Sequence, residues 1–466
     1  MPETDGLQYA GEFQVSQIEL VSSSGVALDI KETVIQIDIF EDIFSTALFG
    51  SLSVADTNDL IHNMPILGQE FLRIKLKTPN FTRDDEIIDH VFSVFKIDKS
   101  TEVSQGSKFF QISFTSMEFL RNSRIRVSKS FTGTTSEIIQ DLLENEQFIG
   151  TKKNINIEET VGIKKVVSPN LNPYRLIRNL LSESVAKNSG SPHFLFYETL
   201  KGLNFRTIQN LYNQDLSGKF DAGNSLPRDI VFTKVIDDAR RVIMSDQNGH
   251  NDMMFNIKSG MMGSNLIMYD IYNKNYKQYN YGYFDNFDDF DSIDGNPIYH
   301  EVPIDNFDNT VGDFPNGKIY LHSTSTTTDF IDAQHYDTSS EQYIYTSNKT
   351  HETLQYRRAK YVEIKGGVGI TVAIHGHTGI CAGQMVEFFR DNTSKKIDDG
   401  VDKYISGRFL IRNTRHTFSN TTKKHEISMV LMKDSLPTEH PFYSSTKPPR
   451  QKQGVTKNLT VQLDAF

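Results

Sequence analysis

The sequence predicts a mainly β chain: two antiparallel all-β blocks flank a small α/β unit, with an irregular insertion and a tail behind them. Three observations predict it. Period-two alternation of apolar and polar residues fills 12–115 and resumes from 361. Helical spacing concentrates between 133 and 187. The 29 glycines, with abundant Asn, Asp and Ser, punctuate the chain with turns. A length of 466 residues is too great for one ordinary core; at roughly 100–200 residues per domain it holds about three or four units.

Taken in order, "VIQIDIF" (34–40) alternates Ile35, Ile37 and Ile39 with Gln36 and Asp38. "FLRIKLK" (71–77) alternates Leu72, Ile74 and Leu76 with Arg73, Lys75 and Lys77, and "FFQISF" (109–114) puts Phe110, Ile112 and Phe114 on one face. Each is a strand with one buried face. With further strands at 12–20, 51–55 and 91–98, residues 1–115 make a barrel or sandwich of about six strands. The unit 116–212 follows. Thr134 with Glu137 three residues on is a capping box, and Ile138, Ile139, Leu142 and Leu143 form the stripe behind it. Asn172 and Pro173 open a second helix as cap and first-turn residue, with Leu176, Ile177, Leu180, Leu181 and Val185 as its buried face. "HFLFYETLKGLNFRT" (193–207) then reads as two strands about a turn at Lys201-Gly202.

The second β block comprises 213–285 and 360–436, with a short helix expected around 236–244. It ends in a long hairpin about "SNTTKK", in which Ile427, Met429 and Leu431 alternate with polar neighbours. Residues 286–359 form the irregular insertion, with a helix of few apolar positions at 340–362. The tail, 437–466, is a Pro/Lys/Gln linker ending in "LTVQLDAF". Two readings of that tip stand: a strand that adds to another chain's sheet edge through Leu459, Val461, Leu463 and Phe466, or a free terminus. No residue-level repeat relates the two β blocks.

Composition excludes several classes. The net charge of −10 is the wrong sign for a general nucleic-acid binder. The single cysteine, Cys381, rules out an internal disulfide and a cysteine-based zinc site, and reads as a small buried apolar residue. No secretory signal and no apolar run of membrane-spanning length is expected.

The carboxylates of "FEDIFSTALFGSLSVADTND" (40–59) pose the sharpest question. Glu41, Asp42, Asp56 and Asp59 are either turn formers at strand ends or an acid pair of the kind glycoside hydrolysis needs. No partner that would raise a catalytic pKa is evident in the sequence, which favours turns. The acidic loop 285–294 fails the calcium-loop pattern, because placing Gly295 at position 6 puts Phe290 at position 1. His375 and His377 would share one strand face, but zinc takes three or four ligands. No phosphate-binding, dinucleotide or hydrolase signature occurs. No cofactor is expected.

The stretch "FEDIFSTALFGSLSVADTNDLIHNMPILGQEFLRIKLKTP" (40–79) resembles the baseplate hub proteins of contractile-tailed (myovirus-type) bacteriophages. So do "FLRNSRIRVSKSFTGTTSEIIQDLL", "SPNLNPYRLIRNLLSESVAKNSGSPHFLFYETLKGLNFRT" and the late "HTGICAGQMVEFF", "YISGRFLIRNTRHTFSN" and "HEISMVLMKDSLP". Residues 286–359 do not match. The resemblance implies that each β block is a tail-tube-like barrel and that three chains form a ring of pseudo-sixfold symmetry. It implies a hexameric tail tube on one face, a trimeric spike on the other, other baseplate proteins around it, and passage of DNA through the hole without sequence-specific binding. It places the chain in the virion tail baseplate, assembled in the bacterial host cytoplasm, with no catalytic role. Phe44, Leu48 and Phe49 are then candidates for contact with a neighbouring chain; packing within one barrel is the other reading. A tail-associated peptidoglycan hydrolase and the hub of a phage-derived injection device are the alternative functions.

Overall fold

In "FLRIKLK" the three aliphatic side chains are buried and the residues between them half-exposed, so alternation becomes a strand as expected. The computed structural model describes residues 8–56, 66–79, 87–104, 107–222, 241–248, 252–270, 274–303, 309–324, 350–391, 402–438 and 461–462. The first block contains β1 (Gln14–Val21), β2 (Ala27–Asp29), β3 (Val34–Asp42), β4 (Phe49–Asp56), β5 (Phe71–Lys77), β6 (Ile88–Ser104) and β7 (Ser107–Ser116). Ile18, Ile37, Leu52, Leu72, Phe92, Phe110 and Phe114 meet in one core. Each such side chain contributes about 1.5–3 kcal/mol on burial. The core leaves no room at Gly50: a Cβ there would lie 2.2 Å from the Phe114 ring and 2.7 Å from the Asp38 carbonyl oxygen. Gly50→Ala is therefore expected to cost about 1–3 kcal/mol by overpacking. A lower urea midpoint at unchanged slope is the expected readout, and an unchanged midpoint would refute the packing.

The α/β unit follows: α1 (Met117–Arg124), β8 (Ser130–Thr134), α2 (Thr135–Glu144), β9 (Ile155–Ile157), β10 (Ile163–Val167), α3 (Pro173–Leu181), β11 (Phe194–Thr199), β12 (Gly202–Thr207) and α4 (Ile208–Tyr212). The capping box is present, with the Glu137 N–H donating to Thr134 Oγ1 at 3.3 Å and the Thr134 N–H to the Glu137 carboxylate at 2.9 Å. Asn172 does not cap α3. Its amide donates to the Asn122 carbonyl at 2.8 Å, and it is Asn122 Oδ1 that accepts the Tyr174 N–H at 2.9 Å. The cap comes from the end of α1, which satisfies the same orphan donor from outside the helix. The turn at Lys201-Gly202 is where the sequence puts it; Gly202 has φ +131 and a Cβ there would meet the Asn154 carbonyl oxygen at 2.2 Å.

The remaining chain supplies β13 (Leu216–Asp221), β14 (Val242–Asn248), α5 (Met253–Ser259), β15 (Gly263–Asp270), β16 (Asn275–Gly282), α6 (Tyr283–Asn286), β17 (Asn296–Pro297), β18 (Ile319–Thr324), α7 (Thr350–Gly366), β19 (Val368–His375), β20 (Met385–Phe389), β21 (Gly407–Ser419), β22 (Lys424–Lys433), β23 (Ser435–Leu436) and β24 (Val461–Gln462). One thirteen-stranded sheet runs β14-β19-β22-β21-β3-β4-β7-β6-β5-β1-β2, with β20 also on β21 and β13 parallel to β20. It curls into a half-barrel. The two β blocks are thus joined edge to edge where β3 pairs antiparallel with β21, from Asp42↔Asn413 to Gln36↔Ser419. The second block has its own core of Phe220, Ile370, Val372, Phe388, Phe409, Ile427 and Leu431, and Cys381 is buried as expected.

Three stretches depart from the sequence expectation. Residues 242–248 are a strand paired with β19, not the end of a helix; 236–240 lie outside the described residues. The hairpin β15–β16 does not enter the large sheet. It pairs with β18, and Leu266, Met268 and Tyr320 bury one face against Leu354 of α7. Within 286–359 the described residues contribute β18 to that sheet, with β17 and the start of α7.

Candidate assembly interface

The junction of the two blocks is built around Glu41. Its neighbours in β3 alternate: Ile37 and Ile39 point into the core, Phe40 points out, and Glu41 points in again. Its carboxylate accepts the Leu200 N–H at 2.7 Å, the Ala382 N–H at 2.6 Å and the Thr414 hydroxyl at 3.0 Å. Those partners belong to the β11–β12 turn, to the loop before β20 and to β21. One buried side chain therefore ties the first block, the α/β unit and the second block together. Burial pushes its pKa up to about 7, against the three hydrogen bonds and the nearby Lys201 ammonium, which pull it down. The turn that reaches Glu41 is itself anchored: Leu200 sits in the core of the first block and its carbonyl lies 2.8 Å from His90 Nε2.

The other acids play separate parts. Asp42 Oδ1 accepts the Phe44 N–H at 2.8 Å and forms the turn. Asp38 is buried between Gln36, Arg415 and Thr417, with the Arg415 Nε–H at 3.1 Å. Asp56 is buried at the end of β4, and Asp59 lies outside the described residues. In the acidic loop, Asp289 accepts from Asn286 and Tyr356, and Asp294 pairs with Lys433 at 3.4 Å.

Of the candidate contact residues, Leu48 is wholly buried in the first core, with its carbonyl accepting the Thr115 hydroxyl at 2.8 Å. It faces its own chain. Phe44 is half-buried, 5.7 Å edge-on to Tyr361, with the Lys365 ammonium 4.4 Å above its ring. Phe49 is 37% exposed and stands edge-on to Phe119. Directly opposite it across the ladder is Phe40, 41% exposed, which the sequence reading passed over. These two rings, with Asp42, Ser45, Asn413 and Arg415, line an open hollow of about 300 Å³ on the junction. Leu459, Leu463 and Phe466 lie outside the described residues; Val461 falls in β24, which pairs with Tyr276 of β16.

Several other buried charges form ion pairs. Lys153 bridges Glu118 at 2.8 Å and Glu198 at 2.6 Å, and Glu198 also accepts the Leu48 N–H at 3.1 Å. Burial alone would lower the Lys153 ammonium, yet the two carboxylates outweigh it and hold it above its ordinary range. Lys360 of α7 pairs with Glu363 at 2.9 Å and with Asp434. His416 and His425 are buried and stacked, with His416 Nδ1 3.2 Å from His425 Nε2. Desolvation drives His416 down to about 3 and His377 to about 4. Among the described residues no three His, Cys, Asp or Glu side chains are arranged to hold a metal ion, and no helix is long and apolar enough to cross a membrane.

No protein-family model matches the chain, and no curated protein matches it by sequence. Solved structures do match. A tail protein from Neisseria meningitidis MC58 covers 91% of this chain and 98% of its own, with a TM-score of 0.50 at 10% identity. The 43 kDa tail protein of prophage MuSo2 from Shewanella oneidensis covers 90% of this chain and 99% of its own, with a TM-score of 0.51 at 9% identity. Mainly β, with the α/β unit set between two joined blocks, this chain has the fold of these tail proteins.

Proposed function

We propose that the chain is a structural subunit of a phage tail baseplate: the hub of a contractile tail, a homotrimer that adapts a hexameric tail tube to a trimeric spike. The observation that carries this is the β3–β21 junction, which places two all-β blocks side by side in a single sheet of one chain. Three copies then present six blocks around an axis, with contacts that are heterologous and repeat around it. DNA passes through the hole during ejection, and the chain's acidic balance suits a wall that must not retain a polyanion. The neighbouring tube, spike and baseplate proteins are its partners, the virion baseplate is its location, and its role is architectural rather than catalytic. The Phe40–Phe49 pair is the outward apolar surface of the junction available to one of them.

Native mass measurement of the purified chain, alone and with tube and spike proteins of the same virion, tests this. Three copies of a 53.1 kDa chain are expected, in a complex that also holds three spike chains. A species that remains a single copy in the presence of both partners would overturn the reading.

A further inference from the structure

We propose that strand pairing closes the ring: β14 of one copy adds to the second half of β6 of the next, as β3 adds to β21 within each chain. This rests on the homotrimer proposed above and names the contact that would hold it. The two β blocks repeat one topology. The run β3-β4-β7-β6-β5 and the run β14-β19-β22-β21-β20 follow the same order in space and along the chain, with every neighbouring pair antiparallel. Their irregularities coincide. β3 slips against β4 between Val34 and Gln36, and β14 against β19 between Val242 and Met244. β6 slips against β7 between Val94 and Lys96, and β21 against β22 between Ile411 and Asn413. Counted from these bulges the registers agree: Ile112 stands between Leu52 and Ile97 as Met429 stands between Val372 and Thr414. The Val94 N–H donates to the Glu70 carbonyl at 2.9 Å, and the Ile411 N–H to the Gln384 carbonyl at 2.9 Å. A slip of one residue would turn every side chain to the other face, so agreement through two bulges fixes a common frame. The frame ends at the next strand, since β1 is antiparallel to β5 and β13 parallel to β20.

The repeat leaves two halves of one contact over. Within the chain, β3 pairs with the part of β21 that follows its bulge, from Asn413 to Ser419. The counterpart of β3 is β14, and that of the second half of β21 is β6 from Lys96 onward. β5 reaches only Ile88 to Ser93, and beyond the bulge β7 is the one strand beside β6 among the described residues. β14 ends the large sheet, with β19 on one side, and is exposed from Ile243 to Gln247; Met244 is 64% exposed. "VIMSDQN" has neither the lysine nor the proline that commonly blocks an edge. Ser245 and Gln247 occupy the places that Ile37 and Ile39 hold in β3. A polar edge can wait in water before assembly, where the aliphatic one could not. Because each copy carries both halves, the contact is heterologous, and repeating the β3–β21 step between copies makes successive blocks equivalent around the axis.

Cysteine pairs test the idea. Directly opposed antiparallel residues have Cα atoms about 4.5–5.5 Å apart, within disulfide reach. Phe40 lies opposite Arg415 in the chain, and the frame puts Asn248 in the place of Phe40 and Asp98 in that of Arg415. In a Cys381→Ala background, Asn248→Cys and Asp98→Cys are made singly and together. Gln247→Cys with Lys99→Cys, one step along the same ladder, is the second pair in case the first disturbs folding. Phe40→Cys with Arg415→Cys is the control and should close within one chain. After diamide oxidation, with tube and spike proteins present, each double variant is expected to run as a covalent trimer on a non-reducing gel. An equimolar mixture of the two single variants should give a covalent dimer. A disulfide confined within one chain, or no cross-link from either pair, overturns the proposal. Native mass of the same samples separates the two ideas: an intact trimer without cross-links sinks the strand pairing and leaves the ring, and a monomer sinks both.

Discussion

Lys360→Met is expected to destabilise the protein by about 3–5 kcal/mol, as removing one partner of a buried ion pair does when the other charge stays behind. Lys360 sits on α7 between Glu363 and Asp434, both almost wholly buried. Methionine fills the space of the lysine stem but leaves two carboxylates facing each other without a cation. The hydrogen bonds that stay, from Tyr283 to Glu363 at 3.2 Å and from the Ile293 N–H at 3.1 Å and the Ser435 hydroxyl at 2.9 Å to Asp434, do not neutralise them. With the ammonium gone, both carboxyls rise in pKa, so the deficit of the variant should shrink as the pH is lowered and they take up protons. The comparison is Lys365→Met, five residues further along α7 and exposed, which loses only its contact over the Phe44 ring and should change stability by no more than about 1 kcal/mol. Urea unfolding at pH 8 and pH 5 provides the measurement. Equal midpoints for Lys360→Met and the parent protein at pH 8 would show that the pair does not hold α7.

The same network explains which parts of the fold are legible in the sequence. β5 and β22 bury aliphatic residues at every second position, and α2 has both its capping box and its apolar stripe in one short stretch. Such elements announce themselves because the pattern and the burial lie within one segment. α7 does not. Its buried side includes Gln355, Lys360 and Glu363, whose partners Ser264, Asp434 and Tyr283 are tens of residues away. A helix held by distant polar partners carries no apolar period to read. The cap of α3 is hidden for the same reason, since Asn122 is half a domain away from Tyr174. The β3–β21 junction joins residues more than 370 positions apart and leaves no local trace. The position of Glu41 was legible, however. If Ile37 and Ile39 face the core, period two sends Phe40 outward and Glu41 inward. That places the acid among buried neighbours and the aromatic ring on the surface, the reverse of what residue type alone suggests.

Acidification from pH 7 to pH 4 should destabilise the protein, and the slope should steepen when Glu41 is replaced by glutamine. Two sets of buried groups oppose each other over this range. His416 titrates at about 3 in the folded chain against an ordinary 6.5. Its contribution is present above 6.5 and is lost as the pH falls toward 3, because the unfolded chain takes up a proton that the folded one refuses. At about 1.4 kcal/mol per pH unit this amounts to about 5 kcal/mol over the whole window. His193, pushed to about 3 by burial and the Lys360 charge, and His377, at about 4, act in the same direction. Glu41 acts in the other. Its folded pKa of about 7 exceeds the ordinary 4.5, so its contribution is full below 4.5 and is lost as the pH rises through 7, a swing of about 3 kcal/mol. Glu198, Glu363 and Asp294, raised by burial, act with Glu41, whereas His425 and His90, lowered by burial, and Asp434, held down by Lys360 against its burial, act with the three histidines, so the net slope follows the histidines. Glu41→Gln removes the opposing swing without changing the size of the side chain, and the stability difference between variant and parent should move by about 3 kcal/mol in the parent's favour between pH 8 and pH 4.5. His416→Phe keeps a ring against Phe418 and should flatten the slope instead. Urea midpoints at half-unit steps of pH decide the matter: parallel curves for Glu41→Gln and the parent would mean that the carboxyl at the junction of the two β blocks does not titrate near neutrality.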